Sequence, residues 1–141
     1  EIAKKAKKVT AIELRQDAID MAKKSFLREN LHFYYKDFFE IMDKDTYDVI
    51  TMSNVLEHIK DREIFLSKAF DLTNKILIRV PAFERHWLVP YKKSLGVKWK
   101  LNHDHKIEHT MEELVAEVTN AGFEVESIYS KWGNYCLIGR S

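Results

Sequence analysis

The chain has 141 residues and a formal net charge of +1, from 23 Lys and Arg against 22 Asp and Glu. Its 45% hydrophobic and 12% aromatic content suits one packed domain over residues 1–141 and is too high for a disordered tail, while the near-balanced charge lacks the basic excess of a dedicated nucleic-acid binder. A single cysteine, Cys136, excludes an internal disulfide, and apolar runs as short as Ile76–Ile78 exclude a membrane-crossing helix; with no apolar stretch behind the N-terminal charges, a soluble cytoplasmic protein is expected.

In chain order, Ile2, Ala3 and Ala6 sit among lysines as in the last turns of a helix. The chain begins at Glu1 rather than Met, so residue 1 is expected to lie inside a longer protein. Val9–Leu14 is nearly continuously apolar until Glu13 and predicts a short buried strand. Asp17 can cap the next segment, where Ala18, Ala22 and Phe26 recur every four residues beside Ile19 and Met21. That spacing predicts an amphipathic helix to about Arg28. Leu31–Tyr35 is strand-like, and Tyr47–Ser53 is a second buried strand. Asp61 opens a helix with Phe65, Ala69 and Leu72 on one face, and Lys75–Val80 is a third buried strand, stopped by Pro81.

Residues 82–109 carry many Trp, Tyr, Lys and His side chains with no clear period, which predicts a functional loop or lid. Regular structure resumes at Thr110-Met-Glu-Glu113, a capping box, followed by Met111, Leu114, Val115 and Val118 on one face and Gly122 as the C-terminal cap. Strands over Phe123–Tyr129 and Tyr135–Gly139 flank a Trp132-Gly133-Asn134 turn. The alternation predicts an α/β fold with a mainly parallel sheet and a C-terminal antiparallel hairpin. Ligands then bind beyond the carboxyl ends of the strands, after Leu14, Tyr35, Ser53 and Val80.

Three of those strand ends carry a resemblance. Val9-Thr-Ala-Ile-Glu13-Leu14, Tyr35-Lys-Asp37-Phe38 and Tyr47-Asp-Val-Ile-Thr-Met-Ser53-Asn54-Val-Leu-Glu57-His58, with Ala121-Gly122-Phe123 after the Thr110 helix, resemble the class I S-adenosylmethionine-dependent methyltransferases. The nearest group is the one that includes the ubiquinone-biosynthesis enzymes. The resemblance implies a Rossmann-like fold with S-adenosylmethionine as cofactor. It implies that Glu13, with Leu14 beside it, accepts from the ribose hydroxyls. Asp37 would accept from the adenine amino group with Phe38 covering the ring, and Ser53 and Asn54 would line the methionine end. A carboxylate suits each of the two donor groups chemically, although Glu13 also reads as a surface carboxylate, Asp37 as a loop cap and Asn54 as a turn residue.

The chain departs from that family at one point. It has no paired glycines, so the family's glycine-rich loop and first strand are expected to be lacking. That strand lies between those at Val9 and Tyr47 in the family's sheet. Without it the chain is expected to distort, to exchange strands with a second copy as a homodimer, or to bind no cofactor.

For the chemistry, His58 follows the central strand as a candidate base, and Asn102-His-Asp-His105-Lys-Ile-Glu108-His109 is the densest titratable cluster, with His105 a second candidate. Some family members hold a divalent ion with Glu-x-x-Glu-His; here Asn54 stands in the first position, so a metal is not expected, and an RNA 2′-O-methyltransferase reading weakens with it. The Arg85, Trp87, Tyr91, Lys92, Lys93, Trp99 and Lys100 side chains of the lid suit an anionic acceptor. The reading is methyl transfer to O or N of a small molecule; the rival is a non-catalytic remnant acting in protein association.

Overall fold

Alternating strands and helices form two hydrogen-bonded sheets, one in each of the units into which the chain divides, Glu1–Met42 and Asp43–Ser141. The computed structural model describes residues 1–42, 46–100 and 102–141; Leu101, within the expected lid, lies outside them.

In the first unit, β1 (Val9–Glu13) and β2 (Leu31–Tyr35) pair in parallel, Val9 opposite Leu31 and Glu13 opposite Tyr35. Parallel neighbours need a crossover, which α1 (Gln16–Ser25) supplies. The helix is shorter than its apolar spacing predicts. Phe26 leaves helical geometry at φ −133°, and it and Leu27 stand exposed; only Ile19 of this helix is buried. Asp17 does not cap it either. The N-cap is Arg15, without a side-chain cap bond, and Asp17 in the first turn pairs with the Arg15 guanidinium. The N-terminal residues form a 3-10 turn, Ile2–Lys4, tied to the start of β2 by the Asn30 amide, which donates to the Ala3 and Ala6 carbonyls at 2.8 Å.

The second unit holds β3 (Ile50–Ser53), α2 (Arg62–Leu72), β4 (Lys75–Pro81), α3 (Leu88–Ser94), α4 (Met111–Asn120), β5 (Glu124–Lys131) and β6 (Asn134–Arg140). The strand order is β3-β4-β6-β5, with β3 parallel to β4 and β6 antiparallel to both β4 and β5. The expected strand from Tyr47 is shorter: Tyr47 makes an isolated bridge to Thr73, and continuous pairing begins at Ile50. Pro81 does not stop β4 but closes it, opposite Asn134. Arg79 points its carbonyl toward β3, accepting from Asn54 N. Two residues on, Pro81 faces the same side, beyond the end of β3, so the N–H it lacks has no ladder partner to miss.

The core is built from matching stripes. Phe65, Leu66, Ala69 and Leu72 of α2, Leu114 and Val118 of α4, and Ile76, Ile78 and Val80 of β4 are all buried, as helical and strand periodicity require. The Thr110 capping box is present in both directions. Helix α4 is capped by Ala121 rather than Gly122; Gly122 comes next with a φ of +103°, which favours glycine, and a Cβ there would lie 2.9 Å from the Phe70 ring. Trp132 and Gly133 both take positive φ, the geometry of a tight hairpin turn.

Residues 82–109 are more ordered than their composition suggests. Their ends are clasped together: Ala82 bridges His109, and Phe83 N donates to the His109 carbonyl at 2.8 Å. Within them lies α3, with Val89 fully buried. Pro90 occupies the first turn of α3, where no backbone donor is required. No helix of the described residues is long and apolar enough to cross a membrane.

Candidate functional site

At the carboxyl end of the β1–β2 sheet, the structure brings Glu13, Leu14, Asp37 and Phe38 together, since Glu13 closes β1 beside Tyr35 and Lys36 N donates to the Glu13 carbonyl. Glu13 Oε1 accepts from Leu14 N at 2.8 Å and Arg15 N at 3.0 Å. Asp37 Oδ1 accepts from Phe39 N at 2.9 Å and so caps the turn Phe38–Glu40. In both residues one oxygen fixes the carboxylate on its own turn, and among the described residues the second accepts no hydrogen bond. Phe38 is buried and Leu14 exposed.

In the second unit, β3 ends at Ser53, and Asn54 turns the chain at φ +56°. This is the left-handed region that asparagine tolerates better than most residues. Its side chain is fully engaged as a turn brace: Oδ1 accepts from the Arg79 guanidinium at 2.6 Å and Nδ2 donates to Glu57 Oε1 at 3.0 Å. The turn Leu56–His58 follows, placing Glu57 inward and His58 outward. Glu57 is buried, and its Oε2 has no hydrogen-bond partner. A buried carboxylate oxygen left bare is costly, which marks the position as one awaiting a donor or cation.

The 102–109 cluster meets this turn. Lys106 N donates to the Glu57 carbonyl at 2.7 Å, and the His105 ring packs edge-on against His58 with centroids 4.8 Å apart. One ligand atom each from Glu57, His58 and His105 lies within 4.8 Å of the others. A metal was not expected from the sequence, because Asn54 replaces a carboxylate. Asn54 indeed offers nothing, but the long-range arrival of His105 restores a third donor. A carboxylate with two imidazoles suits a borderline divalent ion such as zinc or manganese better than magnesium.

His105 is fixed from behind. Its Nδ1 lies 3.0 Å from Glu108 Oε1, while Glu108 Oε2 accepts from Arg85 Nη1 at 2.6 Å and Arg85 also donates to the Ala82 carbonyl. Burial pushes the Glu108 carboxyl up, but the hydrogen bonds from Arg85 and His105 outweigh it and hold the pKa below its ordinary value. An ionised carboxylate only accepts, so Nδ1 carries the proton, and in the neutral imidazole Nε2 is the nitrogen with the lone pair.

A second carboxylate braces the same region. Glu117 accepts from Arg62 Nε at 2.8 Å and pairs with His109 Nε2 at 3.1 Å, and Arg62 donates to the Ile59 carbonyl just after the turn. Its pKa is also lowered, the hydrogen bonds from His109 and Arg62 overcoming the opposing push of burial. Sequence reading singled out His58 and His105 but not Glu57, Glu108 or Arg85 as one assembly. Glu57 lies in the Asn54–His58 run and Arg85 in the expected lid, so only His105 and Glu108 share one local cluster in the sequence.

The structure is similar throughout to solved methyltransferases. An S-adenosylmethionine-dependent methyltransferase of Mesorhizobium loti is 10% identical, with a TM-score of 0.72 over 96% of this chain and 81% of that one. Human N-acetylserotonin methyltransferase, solved with S-adenosylmethionine, is 19% identical with a TM-score of 0.67, over 95% of this chain and 40% of that one. The magnesium protoporphyrin IX methyltransferase of Synechocystis, solved with S-adenosylhomocysteine, is 15% identical with a TM-score of 0.67, over 95% of this chain and 64% of that one. No curated protein matches in sequence. A methyltransferase-domain family model matches residues 1–128, and with nine-tenths of the chain inside it the chain belongs to that methyltransferase-domain family, its fold being the one shared by the S-adenosylmethionine-dependent methyltransferases compared above.

Proposed function

We propose that the chain transfers the methyl group of S-adenosylmethionine to an oxygen or nitrogen of a small-molecule acceptor. In this reading Glu13 and Asp37 accept from the ribose hydroxyls and the adenine amino group through their free oxygens, Phe38 covers the base, and Leu14 and Ser53 line the cofactor. His105 takes the acceptor proton on Nε2, with His58 beside it. The acceptor oxygen attacks the methyl carbon, the C–S bond breaks, and its electrons return to sulfur as the neutral thioether of S-adenosylhomocysteine. Because the sulfonium is already a good leaving group, positioning and proton removal are what the protein must supply.

The observation that carries this reading is the locked His105 ring, presenting a lone pair at the carboxyl end of β3 in a chain of this family. The bare Glu57 Oε2 favours a second reading, in which Glu57, His58 and His105 hold a divalent ion that would polarise an acceptor hydroxyl.

Calorimetric titration of S-adenosylhomocysteine tests the cofactor half. Binding is expected, and Glu13→Ala and Asp37→Ala should each weaken it by about tenfold, the worth of a charged hydrogen bond. Unchanged affinity in both variants, or no binding by the folded protein, overturns it. Transfer of labelled methyl to a panel of phenols and amines tests the chemistry. His105→Ala should lower the rate by about 10²–10⁴-fold, and full activity in a chelator would eliminate the second reading.

A further inference from the structure

Beside the site, a groove of about 470 Å³ runs between the end of α3 and the chain that leaves it, lined by Lys93, Lys98, Trp99, Lys100 and His103. That volume is in the range of small-ligand clefts. Three ammonium groups share the groove, and among the described residues no carboxylate pairs with Lys93, Lys98 or Lys100; the one nearby ion pair is His103 with Asp104. In a chain whose net charge is only +1, three lysines around one concavity without a carboxylate partner among the described residues form a concentrated positive field.

Two of the three cations are held in place. Lys93 Nζ sits 4.8 Å from the Phe83 ring centroid and 5.0 Å from that of Trp99, and these two rings stand edge to face at 5.8 Å. Lys100 Nζ lies 5.8 Å from the Trp99 ring and donates to the His105 and Lys106 carbonyls. The same lysine therefore joins the groove to the backbone that presents His105. Gly96, at φ +67°, lets the chain double back after α3 and form the second wall. A solvated lysine face would have neither the indole floor nor the bonded ammonium.

We infer that this groove is the oxyanion subsite of the methyl acceptor: the acceptor is an anionic small molecule, and its carboxylate or phosphate is held by Lys93, Lys98 and Lys100 over Trp99 while its nucleophile faces His105. The inference rests on the methyl-transfer reading above and narrows its acceptor to one class. An oxyanion answers the positive charge of the three lysines lining the groove, and the indole covers the ring or chain that bears it. Lys98 and Lys93 act as specificity residues, since a neutral analogue would leave the cations unanswered.

The test is a titration of the isotopically labelled protein with inorganic phosphate and, separately, with acetate, against chloride at equal ionic strength, followed by nuclear magnetic resonance. The Trp99 indole and the 93–103 amides should shift along a saturating curve. The indoles of Trp87 and Trp132 and the amides of the lysine run Lys4, Lys5, Lys7 and Lys8 should not move. Lys98→Glu with Lys93→Glu should weaken the response at least tenfold, and Lys7→Glu should leave it unchanged. Saturation by phosphate but not acetate assigns a phosphorylated acceptor, and the reverse assigns a carboxylate. A linear response, equal shifts in chloride, or the same effect from Lys7→Glu overturns the inference, as does far tighter binding of single-stranded RNA at the same residues. S-adenosylhomocysteine is titrated into the same sample. If it binds while the oxyanions do not, the subsite fails and methyl transfer stands. If the oxyanions bind the groove and it does not, methyl transfer fails and takes the acceptor assignment with it.

Discussion

The two units treat their carboxylates in opposite ways. In Glu1–Met42 the buried apolar side chains are few, Ile19, Phe38 and Ile41, and Glu13 and Asp37 take their hydrogen bonds from amides one or two residues away. In Asp43–Ser141 the core is several times larger, and Glu108 and Glu117 are answered by side chains far along the chain, Arg85 to Glu108 and Arg62 to Glu117. A carboxylate bound to its own turn keeps an oxygen for a ligand and costs little to fold. One held by distant partners is an element of the tertiary structure, and losing it exposes the energy of the whole assembly.

That contrast can be broken by substitution. Leu66, fully buried in α2, and Leu27, exposed after α1, chemically match. Leu66→Ala should cost about 2–5 kcal/mol, whereas Leu27→Ala should stay within about 0.5 kcal/mol; denaturant unfolding measures both, and equal effects would dissolve the difference between the units. Acid comes next. Glu108 and Glu117 have lowered folded pKa values, so the stability they confer is present above the ordinary carboxylate value of 4.5 and drains away as pH falls through the folded values. Glu117→Gln should be less stable than the parent at neutral pH and converge with it in acid, and a constant gap at all pH values would contradict the assignment. The smallest effect is local even within the larger unit: Thr110→Ala removes one side of the capping box and should cost about 1 kcal/mol without altering the acid limb.

The same division governs what the sequence reveals. Glu13 and Asp37 are legible because their setting is a strand end followed at once by a turn, and the Thr110 box and the Trp132-Gly133 hairpin are legible for the same reason. The bounds of β2 follow from five residues alone. Phe26 misleads, since helical spacing speaks only of a face and the small first unit offers that face no cover. Helix α3 is hidden by Pro90, which breaks a helix in its middle but not in its first turn. The meeting of Glu57 with His105 spans nearly fifty positions, and no periodicity encodes which loop a buried carboxylate will greet.

The clasp between Ala82 and His109 carries one more consequence. The two ends of that segment are pinned to each other, and Ala82 N also donates to the Gly133 carbonyl of the β5–β6 turn at 3.0 Å, so the stretch closes at a neck set independently of how long the chain inside it is. Doubling the length of such a loop costs only about 0.6 kcal/mol in closure entropy. Descendants of this chain could therefore exchange or lengthen the stretch inside the neck, altering which molecule is admitted, while β4 and α4 on either side keep their places.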